Sequence, residues 1–198
     1  MMNILDNLCA TRGITSAGVC ELRALVPFMS ASALEKAHAL CPRASRVLVA
    51  LFPYFAGETD GNLSLYARGM DYHAVIQRTL APFAAQLGAD SIALADDSPL
   101  PETQAARLSG VGKLGENGLI FDPVYGSFVF IGTILTAQEL PLQDALHRDG
   151  SRTPPPPADA RVQQCLHCGA CRKTCPQCAL APDGSVDQSR CLSALTQQ

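Results

Sequence analysis

Charge is scarce in this sequence, and its apolar runs are short. Only 17% of the 198 residues are Asp, Glu, Lys or Arg, and the formal net charge is −3. No run of Lys and Arg stands out, so the sequence lacks the basic stripe with which proteins grip many phosphates. The longest apolar stretch, Phe128 to Leu135, is far too short to span a bilayer and reads as a buried strand. Met1 to Asp6 offers neither a basic segment nor a long apolar one, so no signal peptide is read there. These absences point to a cytoplasmic chain without a membrane partner. Thiols stay reduced in that compartment, and clustered cysteines then mean metal rather than disulfides. Hydrophobic residues make up 47% of the chain, enough to bury a sizeable core.

Cysteine placement divides the chain. Cys9, Cys20 and Cys41 are scattered, whereas six more lie between Cys165 and Cys191. Between the two regions runs a proline tract, Ser151 to Ala158, which favours extended backbone and serves as a spacer. The division expected is 1–145, then a linker over 146–162, then 163–198. The first part alternates helix and strand signals. A short helix over Asn3 to Thr11 is followed by a strand from Ile14 to Cys20. A capping-box pattern, Ser32 with Glu35, opens a helix to Leu40. Arg46 to Phe52 is nearly continuous apolar sequence, as in a strand buried on both faces. Val75, Ile76, Leu80, Phe83 and Leu87 recur at helical spacing over 71–87, with Pro82 as a candidate kink. A strand over 91–95, a helix over 102–108 and a strand over 126–135 complete an α/β layer pattern.

Cys165, Cys168, Cys171 and Cys175, followed by Pro176, form a complete C-x2-C-x2-C-x3-C-P run. Three thiolates at this spacing can wrap one [4Fe–4S] cubane, and in two-cluster ferredoxins the fourth Cys serves the other cluster. Zinc is the competing metal for C-x2-C pairs, but this triple spacing ending in proline is much less typical of it. Cys178 is a spare thiol or a substitute ligand. Cys191 stands at the start of a short helix. Six thiolates fall short of the eight that two clusters require, so the segment reads as incomplete.

The residues ahead of the cluster run resemble the epoxyqueuosine reductase family. Tyr66-Ala67-Arg68-Gly69-Met70-Asp71-Tyr72-His73 is similar to its Y-A-x-G-x-D-Y-H signature. The stretch 95–102 resembles its D-x-x-P-x-x-E element, and 110–118 resembles its glycine-rich loop. Gly126, Ser127 and the strand after them resemble G-S-x-x-F-x-G-x-x-L-T, and 190–196 resembles an element that supplies a ligand to a second cluster. The resemblance implies a nitroreductase-like, cobalamin-binding α/β domain followed by a small ferredoxin-like segment. It also implies electrons passing from an external donor through the clusters to cobalt, and removal of the epoxide oxygen of epoxyqueuosine in tRNA. Asp96 takes the place of the proton donor, with Asp97 as its near rival, and burial beside the corrin is expected to raise its pKa. Tyr66, Arg68, Asp71, Tyr72, His73, Lys113, Gly126 and Ser127 take cofactor-pocket places, and His73 is open as an axial cobalt ligand. Lys113 stands where an aromatic residue is common, and Glu116 where Lys is usual. The second cysteine run and the helical-repeat domain that engages tRNA in long members are missing from the 198 residues, so the tRNA partner is the weaker expectation. A monomer is expected. Two other readings share part of this pattern. A reductive dehalogenase has the same cofactors, and a single-cluster electron-transfer or corrinoid-binding module would have no activity of its own.

Overall fold

The computed structural model describes residues 3–55, 57, 60–154, 165–181 and 185–196. The chain begins with α1 (Ile4–Ala10), β1 (Ser16–Glu21), α2 (Leu22–Leu25) and α3 (Ala31–Leu40). Next come β2 (Arg46–Pro53), a 3-10 turn over Leu65–Ala67, α4 (Tyr72–Leu87), β3 (Ser91–Leu94) and α5 (Glu102–Leu108). After these follow β4 (Lys113–Leu114), β5 (Ile120–Phe121), β6 (Val129–Thr136), β7 (Ala145–His147) and β8 (Arg152–Thr153). The cysteine-rich part holds α6 (Ala170–Thr174) and α7 (Leu192–Leu195).

Six strands form one sheet in the order β3-β6-β2-β1-β7-β8, with antiparallel neighbours throughout. The architecture is therefore mixed α/β around an antiparallel sheet. Alternating strand and helix signals reveal the layers but not the strand directions.

Alternation along β2 explains why so apolar a strand sits at the centre. Val47, Val49 and Leu51 point into one core with Leu25, Ala105 and Leu135. Leu48, Ala50 and Phe52 point into the other with Leu5, Leu8, Ile76, Leu80 and Ile134. Helices α2, α3 and α5 cover the first face, and α1 and α4 cover the second. Gly132 of β6 is glycine because a Cβ there would lie 2.7 Å from Ile76 and 2.8 Å from Phe52, so α4 sits directly against the strand.

Several local details differ from the sequence reading. Ser30, not Ser32, caps α3: its hydroxyl accepts the Ala33 N–H at 3.2 Å, and Glu35 lies too far along to close a box. The capping box lies instead at α1, where Asn3 and Asp6 exchange bonds. Helix α4 is capped by Asp71 and runs through Pro82 to Leu87. Strands β7 and β8 carry the sheet to Thr153, beyond residue 145, so part of the stretch read as linker is paired backbone. The rest of that tract, 155–164, lies outside the described residues.

Candidate functional site

The N-terminus of α4 and the end of β3 converge on Asp96. Tyr72 and His73 occupy the first turn of α4, where the Asp71 cap orients them by accepting the His73 N–H at 3.0 Å. The Tyr72 hydroxyl donates to Asp96 Oδ2 at 2.6 Å. His73 spans two carboxylates, with Nδ1 at 2.8 Å from Asp71 and Nε2 at 3.4 Å from Asp96 Oδ2. Both ring nitrogens thus face carboxylates. The Asp71 hydrogen bond, reinforced by Asp96, raises the His73 pKa from its ordinary value. The same bond lowers that of Asp71. Burial, then Asp96, raises that of the Tyr72 phenol.

Asp96 itself has φ +58, a left-handed conformation uncommon outside glycine. Tight bonds on either side hold it, Asp97 N–H to Ala95 O at 2.7 Å and Ser98 N–H to Asp96 O at 2.6 Å. Its own N–H donates to Glu102 Oε1 at 3.2 Å. The Asp96 side chain is 62% exposed in the chain by itself, open on the side where a cofactor or substrate would approach. The more enclosed carboxyl of this group is the half-buried Glu102, whose pKa burial and the nearby Asp96 push up to about 7. Glu102 entered the sequence reading only as a motif marker; its place six residues after Asp96, opening α5, was the available signal.

An aromatic wall flanks the carboxylate. The Tyr72 ring stacks on Phe130 at 4.1 Å, Phe130 meets Tyr54 at 4.5 Å, and Phe55 meets Phe128 at 5.0 Å. Tyr54, Tyr66, Met70, Tyr72 and Phe130 line a cavity of about 210 Å³. Cavities that enclose drug-sized ligands measure roughly 300–1,000 Å³, so a corrin would lie across this open aromatic face rather than inside the cavity. The residues suit a flat macrocycle to that extent, with Asp96 at the rim. Arg68 braces the preceding loop, its Nε donating to Leu63 O at 2.8 Å. Gly126 closes the turn that Asp122 caps before β6, and Ser127 follows it, half-buried.

A second cavity, of about 360 Å³, lies between the β4–β5 hairpin and the cysteine segment. Lys113, Leu114, Glu116 and Phe121 face Cys165, Cys168 and Cys171 across it. Gly112 and Gly115 belong to the packing of this hairpin: Cβ atoms there would lie 2.3 Å from Ile120 and 2.5 Å from the Phe121 ring. Three thiols opening on one partly apolar space fit a cubane held through those sulfurs. Cys175 is placed differently. Its sulfur accepts the Ala179 N–H at 3.3 Å, and that bond, with neighbouring backbone N–H groups, lowers its thiol pKa. Cys178 is exposed with φ +46, and Cys191 caps α7. The hairpin and the cysteine segment are tied by Glu116, which meets His167 at 2.7 Å and Arg172 at 3.5 Å. Glu116 and His167 were not read as site residues. The only signal was that Glu116 departed from the glycine-loop pattern.

Residues 35–96 match the family described as Epoxyqueuosine reductase QueG, DUF1730. An epoxyqueuosine reductase of Pseudomonas aeruginosa is 28% identical over 172 residues, 79% of this chain and 44% of that one. The Shewanella oneidensis enzyme of that name is 32% identical over 152 residues, 71% of this chain and 35% of that one. The chain therefore spans less than half the length of these relatives.

Among solved structures, an epoxyqueuosine reductase bound to an epoxyqueuosine-modified tyrosine-tRNA stem loop has a TM-score of 0.71 at 22% identity, over 98% of this chain and 56% of that one. The Bacillus subtilis enzyme, described with an aspartate catalytic loop swung out of the active site, has a TM-score of 0.67 at 22% identity, over the same shares. A reductive dehalogenase whose structure suggests a mechanism for B12-dependent dehalogenation has a TM-score of 0.51 at 16% identity, over 92% of this chain and 23% of that one. None of the described helices is long and apolar enough to cross a membrane. Taken with the ordered motifs from Tyr66 to Cys191, these matches show that the chain belongs to the epoxyqueuosine reductase family.

Proposed function

We propose that this chain is a reductase acting on an epoxide, with epoxyqueuosine in tRNA as the substrate favoured by its relatives. The observation that carries the reading is Asp96, held in a strained turn by Tyr72, His73 and Glu102 at the edge of an open aromatic face. Opening an epoxide to an alkene and water consumes two electrons and two protons, and an acid beside the developing alkoxide lowers the barrier. Tyr72 and His73 both engage Oδ2 of Asp96, which orients the carboxyl and leaves Oδ1 to meet the substrate oxygen. His73, whose protonated form Asp71 favours, stands where it can return a proton to Asp96 after each transfer. The family relation and the B12-dependent structural neighbour support cobalamin as the group that delivers electrons to carbon. Tyr54, Tyr66, Tyr72 and Phe130 would face it. Cys165, Cys168 and Cys171 would hold a [4Fe–4S] cluster, with Cys175, Cys178 and Cys191 left for a second site. In this proposal the α/β part is nitroreductase-like and the segment from 163 is ferredoxin-like. An external donor supplies electrons.

The test is Asp96→Asn in protein reconstituted with cluster and cobalamin. Turnover of an epoxyqueuosine stem loop should fall by at least about a hundredfold, a usual share for general acid catalysis, with the cofactor spectra unchanged. Retained turnover would remove Asp96 from the acid role.

A further inference from the structure

The turn that carries Asp96 is tighter than a change of chain direction requires. The Asp97 N–H reaches back to Ala95 O at 2.7 Å, across Asp96 alone, whose φ is +58. A hydrogen bond closed over one residue of positive φ marks the rare and strained form of γ-turn. The next residue tightens it further, with the Ser98 N–H on Asp96 O at 2.6 Å. Such backbone persists only where its surroundings over-determine it. Asp96 and Asp97 are exposed, so core packing does not supply that restraint.

Two sets of contacts supply it, and they divide the task. Tyr72 and His73, from α4, engage Oδ2 of the side chain. They orient the carboxyl but leave the backbone dihedral beneath it open. Glu102, from α5, accepts the Asp96 N–H on Oε1 at 3.2 Å and so acts on the backbone itself. Its own place is fixed. It opens a helix whose Ala105 and Ala106 are fully buried. Leu100, 5% exposed, anchors the connecting stretch in the same core, and Pro99 and Pro101 stiffen it. The N-cap residue, Pro101, makes no side-chain cap bond, so the first turn of α5 has N–H groups that a carboxylate could serve. The Glu102 carboxyl instead reaches back six residues to the turn.

We propose that Glu102 is a positioning residue for the reduction: it pins the γ-turn through the Asp96 amide and thereby aims the Asp96 carboxyl along the aromatic face. The proposal rests on the reading of Asp96 as the proton donor. Glu102 does not line the aromatic cavity and acts only through Asp96. Without the amide bond the turn relaxes and the carboxyl leaves its place beside Tyr72 and His73. A displacement of about 1 Å can cost on the order of a hundredfold in rate. The loss falls on kcat rather than KM, because the bond holds the acid and not the substrate.

The experiment uses the whole chain, reconstituted with cluster and cobalamin, as wild type, Glu102→Gln, Glu102→Leu, Asp96→Asn and the double variant Asp96→Asn with Glu102→Leu. Amide hydrogen exchange is followed over 95–98 and over 103–108, together with kcat and KM for an epoxyqueuosine stem loop. Glu102→Leu should speed exchange over 95–98 about tenfold, the protection of one hydrogen bond, and leave 103–108 as in the wild type. Its kcat should fall about tenfold to a hundredfold at unchanged KM. Glu102→Gln keeps the accepting oxygen and should rescue both losses. In the Asp96→Asn background Glu102→Leu should cost nothing more, since no acid is left to aim. Unchanged exchange over 95–98 in Glu102→Leu would overturn the proposal, as would faster exchange over 103–108. A further loss in the double variant, or turnover in Glu102→Gln as low as in Glu102→Leu, would overturn it too. Full turnover in Asp96→Asn would defeat the acid reading, and the positioning role with it, even where exchange shows the turn pinned.

Discussion

Replacing Glu102 by Gln should make the protein more stable in alkaline solution and leave it nearly unchanged in acid. Burial, with Asp96 nearby, raises the Glu102 pKa from 4.5 to about 7 in the folded chain. Below pH 4.5 the carboxyl is protonated whether the chain is folded or not. As pH rises towards 7 the unfolded chain loses its proton first, and folding then has to retain it. The stability present below pH 4.5 is therefore lost progressively up to about pH 7. At roughly 1.4 kcal/mol per pKa unit the interval is worth about 3 kcal/mol. Gln keeps an oxygen for the Asp96 N–H and does not ionise, so it escapes that loss. For a chain of this size about 3 kcal/mol corresponds to a melting temperature higher by about 6–12 °C. The charged groups facing Glu102 are Asp96 and His73, and both are kept in the variant. The assay is anaerobic urea or thermal unfolding at pH 5, 6.5 and 8. Parallel pH profiles for wild type and variant would refute the argument, and a larger gap at pH 5 than at pH 8 would reverse its sign.

Other perturbations have equally definite outcomes. Tyr72→Phe removes the donor at 2.6 Å from Asp96 and should slow epoxide turnover roughly tenfold, about 1.4 kcal/mol, with little change in the melting temperature. Ile134→Ala empties a fully buried position on β6, beside Leu48 of β2, and should cost about 2–5 kcal/mol in chemical denaturation. Gly112→Ala drives a Cβ to 2.3 Å from Ile120 in the hairpin that carries Glu116. It should cost about 1–3 kcal/mol, read by thermal melting, and lower the iron content on reconstitution.

Much of the scaffold was legible because its signals are local. The apolar run of β2 and the spacing of α4 each describe one element, and each appears at its expected place. The short strands β4, β5, β7 and β8 were not legible, since two or three residues carry no periodicity and gain their identity from a distant partner. The candidate site divides in the same way. Tyr72, His73 and Asp96 were named, and the structure brings them together across 24 residues of sequence. Glu102 was passed over because its importance lies in a backbone bond, which side-chain motifs do not encode. Glu116 and His167 lie 51 residues apart, and only the fold unites them. The positive φ of Asp96 had only a weak signal, since Asp tolerates that conformation better than most residues but rarely adopts it.

The most direct test of the account is an anaerobic titration of the reconstituted protein with cob(II)alamin, followed by visible and electron paramagnetic spectra. Stoichiometric binding with an altered cobalt signal, weakened by Tyr72→Ala in the aromatic face, is the result expected of a cobalamin-dependent reductase. An intact cluster with an unperturbed cobalt signal at every ratio would contradict it, leaving a chain that carries electrons without the group that uses them.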